Sequence, residues 1–206
     1  MNNNADKNLK TLVEDLYSMH EKKVSLEHEY KYVASKDDLK TIRDKLSNSE
    51  FVKSVKRWVQ INYYYDTVDH YYSKYKTTIR IRQKECGLEL QVKIKDFFGE
   101  HHNKEIKERI DSIPNQMVYE EKYIKLQGHL VTDRTRFSCN GDITIDLDIN
   151  YYCGKVDYEI EIELPNDEIK TDYILSLVNN LEQAKSGKST RFYNRLLSLG
   201  DKVIGV

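Results

Sequence analysis

The sequence predicts an α+β fold built on antiparallel strand pairs, a set of strands that could close into a barrel. Three observations carry this. About eight segments alternate apolar and polar side chains over strand lengths. Cys86-Gly87 and Asn140-Gly141 lie between such segments as hairpin signals. Segments of helical period stand between and after the strands, and sixteen tyrosines favour pleated, half-buried surfaces.

Taken in order, residues 5–20 read as a helix, with Leu9, Leu12, Val13 and Leu16 at helical spacing. "VSLEHEYKYV", residues 24–33, reads as the first strand. Ser35 is a candidate N-cap for a helix whose Leu39, Ile42 and Leu46 share one face. Residues 57–66 read as the second strand, and "TTIRIRQKE" and "LELQVKIKD" as a hairpin. "HNKEIKERID" follows as a strand. Pro114 suits the first turn of a helix running to Gln127, with Gly128 at its end. "HLVTDRTRFSC", "DITIDLDIN" and "DYEIEIEL" are three further strands, the last stopped by Pro165. Helical segments over 168–184 and 188–199 close the chain.

The 206 residues suit one domain, residues 23–206, preceded by a helical extension over residues 1–22. With 33 basic and 34 acidic residues the net charge is −1, so no global field draws the chain to nucleic acid or an anionic membrane. No apolar run approaches the ~18 residues of a membrane span, and the first residues lack the apolar core of a signal peptide. Cys86, Cys139 and Cys153 are scattered too irregularly for a disulfide framework or a zinc site. A reduced, cytoplasmic protein is expected.

The charges are sorted by strand. One face carries Glu27, Glu29 and Lys31 in the first strand, Arg80 and Arg82 in "TIRIR", and Glu89, Gln91, Lys93 and Lys95 in "LELQVKIK". Arg134 and Arg136 follow in "DRTRF", then Asp146 and Asp148, then Glu159, Glu161 and Glu163. The opposite faces are apolar, for example Ile160, Ile162 and Leu164. For a single strand this pattern describes a wet face. Across six strands, with several wholly basic or wholly acidic, it suggests facing subsites for an anion and a cation, since a merely soluble surface mixes signs. The arginines and lysines suit phosphate oxygens. The glutamates offer hard oxygen ligands for Mg²⁺ or Mn²⁺.

These segments resemble a known family. "EHEYK" resembles the ExExK signature of the CYTH superfamily, the triphosphate tunnel metalloenzymes. "QINYYYDT", "TIRIR", "LELQVK", "DRTRF", "LDINYYCGKVDYEIEIE" and "KSTRFYNRL" resemble the family's later segments in the same order, over residues 24–199. The branch most similar is that of Gram-positive bacteria. The resemblance implies a closed eight-stranded antiparallel barrel, a tunnel with charged side chains pointing inward and flanking helices. It implies a divalent metal, Mg²⁺ or Mn²⁺, held by Glu27, Glu29, Glu159 and Glu161, with Asp146 and Asp148 on the metal side. It assigns triphosphate binding to Lys31, Arg80, Arg82, Lys93, Arg134 and Arg136, and closure of one mouth to Lys188 and Arg191. Lys31 and Glu29 become the candidate catalytic pair. "NKEIKERI" departs from the pattern at Ile106, which weakens the case for Glu108. Lys95 and Glu163 lie at strand ends and are expected to be exposed, and His101 and His102 match no motif.

The function expected from this resemblance is metal-dependent hydrolysis of a triphosphate compound, first of all inorganic tripolyphosphate. Nucleoside or RNA 5′-triphosphatase, thiamine triphosphatase and class IV adenylate cyclase share the tunnel. A non-catalytic polyphosphate or nucleotide binder is the reading from another class, and two glutamate pairs argue against it. No membrane partner is expected, and nucleic acid only as a 5′-triphosphate RNA end. Fold-level analogy adds a homodimer.

Overall fold

The computed structural model describes residues 28–95, 103–165 and 172–203. The amino-terminal helix expected over residues 5–20, the boundary after residue 22, Glu27, His101 and His102 lie outside them. The described residues form two compact units, one of residues 28–61 and 130–203, the other of residues 62–129. The first holds β1 (His28–Ala34), α1 (Lys36–Ser47), β8 (Thr144–Tyr152), β9 (Lys155–Leu164), α3 (Asp172–Val178) and α4 (Lys188–Val203). The second holds α2 (Tyr71–Lys74), β3 (Thr77–Lys84), β4 (Gly87–Lys95), β5 (Asn103–Ile110) and β6 (Gln116–Tyr119). The long strands β2 (Val52–Asp66) and β7 (Lys122–Cys139) contribute residues to both.

The strands pair in the order β1-β9-β8-β7-β2-β3-β4-β5, with β6 beside β7. The pairs β1–β9, β3–β4, β4–β5, β6–β7, β7–β8 and β8–β9 are antiparallel. The described residues hold nine strands where eight were expected, and hydrogen bonds among them do not close the strands into a barrel. The outer edge of β1 is taken by a different segment. Val33 N donates to Glu182 O at 2.9 Å and Ala184 N to Lys31 O at 2.8 Å, with Tyr32 paired to Gln183. No helix among the described residues is long and apolar enough to cross a membrane.

In the first unit the alternating strands present Phe137, Ile145, Leu147, Ile160, Ile162 and Leu164 to one core. Leu39, Ile42 and Leu46 of α1 and Ile174, Leu177 and Val178 of α3 pack into the same core. The helix α1 starts where expected. Ser35 accepts from Asp38 N and its own N–H donates to the Asp38 carboxylate, a capping box. Because strand side chains alternate, burying this face commits the charged residues to the other.

The helix expected from Pro114 to Gln127 is a hairpin, β6 followed by the start of β7. Glu120 and Glu121 both adopt positive φ (46° and 60°), the geometry of a tight two-residue turn. Met117, Tyr119 and Ile124 are buried in the second unit's core with Ile79, Ile81, Leu90 and Val92. Gly128, at φ 149°, lies inside β7 and ends no helix. The strands β2 and β7 both begin earlier than expected, and the first carboxy-terminal helix, expected to reach residue 184, ends at Val178, with residues 182–184 bonded along β1 instead.

Asp66, buried at the end of β2, accepts backbone N–H bonds from Thr67 (2.8 Å), Tyr72 (2.9 Å) and Ser73 (2.9 Å). One carboxylate therefore satisfies the turn after β2 and the first donors of α2. Removing it orphans buried donors. Asp66→Ala is expected to lower unfolding free energy by about 2–4 kcal/mol in urea titration, while Asp69→Ala, on the exposed side of that turn, costs far less.

Candidate active site

Register builds the site. On the charged face, Lys31 of β1 stands opposite Glu161 of β9, which stands opposite Asp146 of β8, which stands opposite Arg136 of β7. One step along, Glu159, Asp148 and Arg134 form the next row. Two acidic strands are thus direct neighbours, with like charges opposed at Asp146–Glu161 and Asp148–Glu159. Such pairs repel unless cations intervene.

The cations come from both sides. Arg134 donates Nε and Nη2 to the two oxygens of Asp148 at 2.7 and 2.6 Å. It also reaches Glu161 at 2.5 Å and Asp146 at 2.5 Å. Arg136 forks onto Asp146 at 2.6 Å through both nitrogens, meets Glu163 at 3.4 Å and lies over the Trp58 ring. Lys31 pairs with Glu29 at 2.5 Å and approaches Glu161 at 3.8 Å. From α4, Lys188 Nζ contacts Asp148 (2.8 Å), Glu161 (2.5 Å) and Glu159. Arg191 donates to Glu159 at 2.6 Å and to Asp157 at 3.0 Å.

Burial opposes ionisation of Glu161, but the Lys188, Arg134 and Lys31 charges hold its carboxyl well below the usual range. Burial pushes Asp146 and Glu163 up, against the pull of Arg136 and, at Asp146, of Arg134. Burial also works against charge on Lys31, and Glu161 and Glu29 outweigh it, raising its pKa. Lys188 is raised as well, since Asp148, Glu161 and Glu159 overcome its desolvation. Glu161 is thereby held as a carboxylate, and Lys31 and Lys188 as ammonium cations, at neutral pH.

Asp148, Glu159 and Glu161 each place a carboxylate oxygen within 4.8 Å of the others, all three buried. An all-oxygen, buried donor set fits a hard divalent cation, and its hold on the Lys188 ammonium shows that it recognises positive charge. Glu29 and Asp146 stand outside this triad, the first bound to Lys31 and the second to Arg134 and Arg136. Arg80, Arg82 and Lys93 belong to the second unit. There Arg80 Nε donates to Gln91 at 2.8 Å, Arg82 Nε donates to Asn62 at 2.9 Å, and Lys93 stands opposite Thr78.

Four residues of the site were not anticipated. Asp157 accepts from Tyr152 OH at 2.6 Å, Asn150 Nδ2 at 3.0 Å and Arg191 Nε at 3.0 Å, and Asn150 accepts from Thr132 at 2.8 Å. This chain fixes Arg191 over β8 and β9. The signal was present, because Asp157 continues the Glu159, Glu161, Glu163 alternation by one step, and Asn150 and Tyr152 continue Asp146 and Asp148. Glu163, expected to be exposed, is half-buried and accepts from Thr144 at 2.9 Å.

A carboxylate whose folded pKa is depressed contributes stability that is present above its unfolded pKa and lost as pH falls. Glu161 is such a group. Wild-type protein is therefore expected to lose stability between about pH 5 and pH 2, a slope that Glu161→Gln flattens in chemical denaturation curves taken across that range.

The fold is shared with solved structures. A candidate adenylate cyclase from Bacillus halodurans is 24% identical with a TM-score of 0.67, matching 82% of this chain and 98% of its own. A candidate adenylyl cyclase from Hippeastrum with a dominant triphosphatase activity is 19% identical with a TM-score of 0.64, over 82% of this chain and 95% of its own. The mimivirus capping enzyme triphosphatase is 14% identical with a TM-score of 0.52, over 85% of this chain and 95% of its own. No curated protein matches the chain. The CYTH domain family matches residues 25–193, most of the sequence and every strand described above, and the chain belongs to that family.

Proposed function

We propose that the protein is a divalent-metal-dependent hydrolase of triphosphate compounds, with inorganic tripolyphosphate as its substrate. The observation that carries this reading is the juxtaposition, on one sheet face, of the buried triad Asp148, Glu159 and Glu161 with Lys31, Arg134, Arg136, Lys188 and Arg191. Membership of the CYTH family supports it, as does the shared fold of two proteins described as triphosphatases.

A Mg²⁺ or Mn²⁺ ion held by the triad would supply Lewis-acid charge to phosphate oxygens. The chain's own part is positioning and charge stabilisation. Arg134 and Arg136 offer forked donors to a phosphate, and Lys188 and Arg191 offer further charge from α4. Glu29, held by Lys31 at 2.5 Å, orients the attacking water and takes its proton. The water oxygen bonds to the terminal phosphorus, the anhydride P–O bond breaks, and the electron pair leaves with diphosphate. By resemblance Glu27 joins the metal ligands, and Arg80, Arg82 and Lys93 are phosphate contacts.

The test is phosphate release from tripolyphosphate, ATP, thiamine triphosphate and pyrophosphate, with Mg²⁺, Mn²⁺ or EDTA. Expected is metal-dependent release, fastest from tripolyphosphate, with kcat about 10²-fold lower in Glu29→Gln and kcat/KM about 10²-fold lower in Arg136→Met. Cyclic AMP formed from ATP without phosphate release would replace this reading with a cyclase. Tight binding without turnover of any substrate would replace it with a non-catalytic binder.

A further inference from the structure

Within the triad the occupant is the protein's own ammonium. Lys188 touches all three carboxylates, and its side chain is only 10% exposed. It stands where a cation that used those oxygens would have to stand. Arg134 and Arg191 complete the neutralisation, with Arg134 on Asp148 and Glu161 and Arg191 on Glu159. A divalent cation entering alone would meet three fixed positive charges and would have to expel one of them from its partners. A phosphate chain entering alone would have to draw these cations away from carboxylates already bonded to them. Either ligand by itself breaks ion pairs without replacing them, and breaking a buried pair is costly.

The two together allow an exchange of partners. The carboxylates pass to the metal, and the Lys188 ammonium passes to the phosphate. We propose, building on the triphosphatase reading, that Lys188 makes the site selective for the metal–polyphosphate complex over either component alone. Lys188 carries the exchange because of where the chain puts it. The backbone is pinned at Ala184 on the β1 edge, and α4 is anchored by buried Phe192 and Tyr193. Lys188, the first residue of that helix, has a long flexible stem between these two anchors, whereas Arg134 is fixed on a central strand by a forked bond to Asp148. The helix stays and the ammonium moves.

Coupling of this kind is reciprocal, so it is measurable from the metal side. Mn²⁺ binding to the full chain is followed by electron paramagnetic resonance, with and without the methylene-bridged analogue of tripolyphosphate, the Mn²⁺–analogue complex being accounted for by its own stability constant. In wild type the analogue is expected to tighten Mn²⁺ binding by about tenfold or more. Lys188→Met and Lys188→Gln are expected to bind Mn²⁺ alone about tenfold more tightly than wild type and to lose most of the gain from the analogue. Lys188→Arg, which keeps the charge, should retain weak binding of Mn²⁺ alone. Thermal melts identify any variant that fails to fold, and the remaining neutral variant then decides. If both ligands bind wild type but a folded neutral variant shows unchanged Mn²⁺ affinity and undiminished coupling, the role of Lys188 is overturned and the triphosphatase reading stands. If wild type binds neither Mn²⁺ nor the analogue, both fall.

Discussion

The constraint on which the first unit depends is the adjacency of two acidic strands. Register sets Asp148 opposite Glu159 and Asp146 opposite Glu161. Cross-strand like charges push strands apart, and here they are also buried, where the repulsion is screened least. Hydrophobic packing on the far face does not cancel this locally. What cancels it is the arrival of cations from both flanks. From β7, Arg134 and Arg136 reach Asp146, Asp148 and Glu161, and from α4, Lys188 and Arg191 arrive on the β9 side and neutralise Glu159. Docking of α4 on the sheet is then an electrostatic requirement as well as a packing contact through Phe192.

The same register has a second consequence. A one-residue slip of β9 against β8 would turn Glu159 and Glu161 into the core of Ile145, Leu147 and α1, and would turn Ile160 and Ile162 onto the arginines. Both faces oppose the slip, one by desolvation and the other by loss of ion pairs. The site is therefore held in register by groups on both sides of the sheet. This matters for a cluster whose donor–acceptor distances must hold to within a few tenths of an ångström.

Much of this was legible because period two is a strong signal. The Arg134/Arg136, Asp146/Asp148 and Glu159/Glu161 rows, the Ser35 cap and the α1 core residues follow directly from spacing. The hairpin at 116–127 did not, for a geometric reason. Met117 and Ile124 are seven residues apart, which sets them on one face of a helix, and a tight turn at Glu120-Glu121 pairs the same two residues directly across strands. Neither glutamate is a residue that announces positive φ. The capture of the β1 edge by residues 182–184 was hidden as well, since "EQA" carries no strand pattern and its bonds are backbone bonds. Which cation meets which carboxylate was illegible too. Lys188 lies 27 residues from Glu161 in the chain, and only the fold brings them together.

Stability alone does not account for so many buried ion pairs. A buried pair rarely outperforms well-packed apolar side chains of similar volume, because desolvation of both charges offsets their attraction. The core of this unit is complete on the opposite face, with Ile145, Ile160, Ile162 and Phe137 almost fully buried. The charged face adds no comparable apolar burial, and each of its cations is held by carboxylates that would bind a metal as well as an ammonium. Such a face is poorly suited to being a keystone and well suited to changing partners, since every ion pair within it can be replaced by an equivalent one to a ligand of the right sign. A ligand that is itself a paired metal and polyanion satisfies both halves at once, which neither water nor a single ion can do.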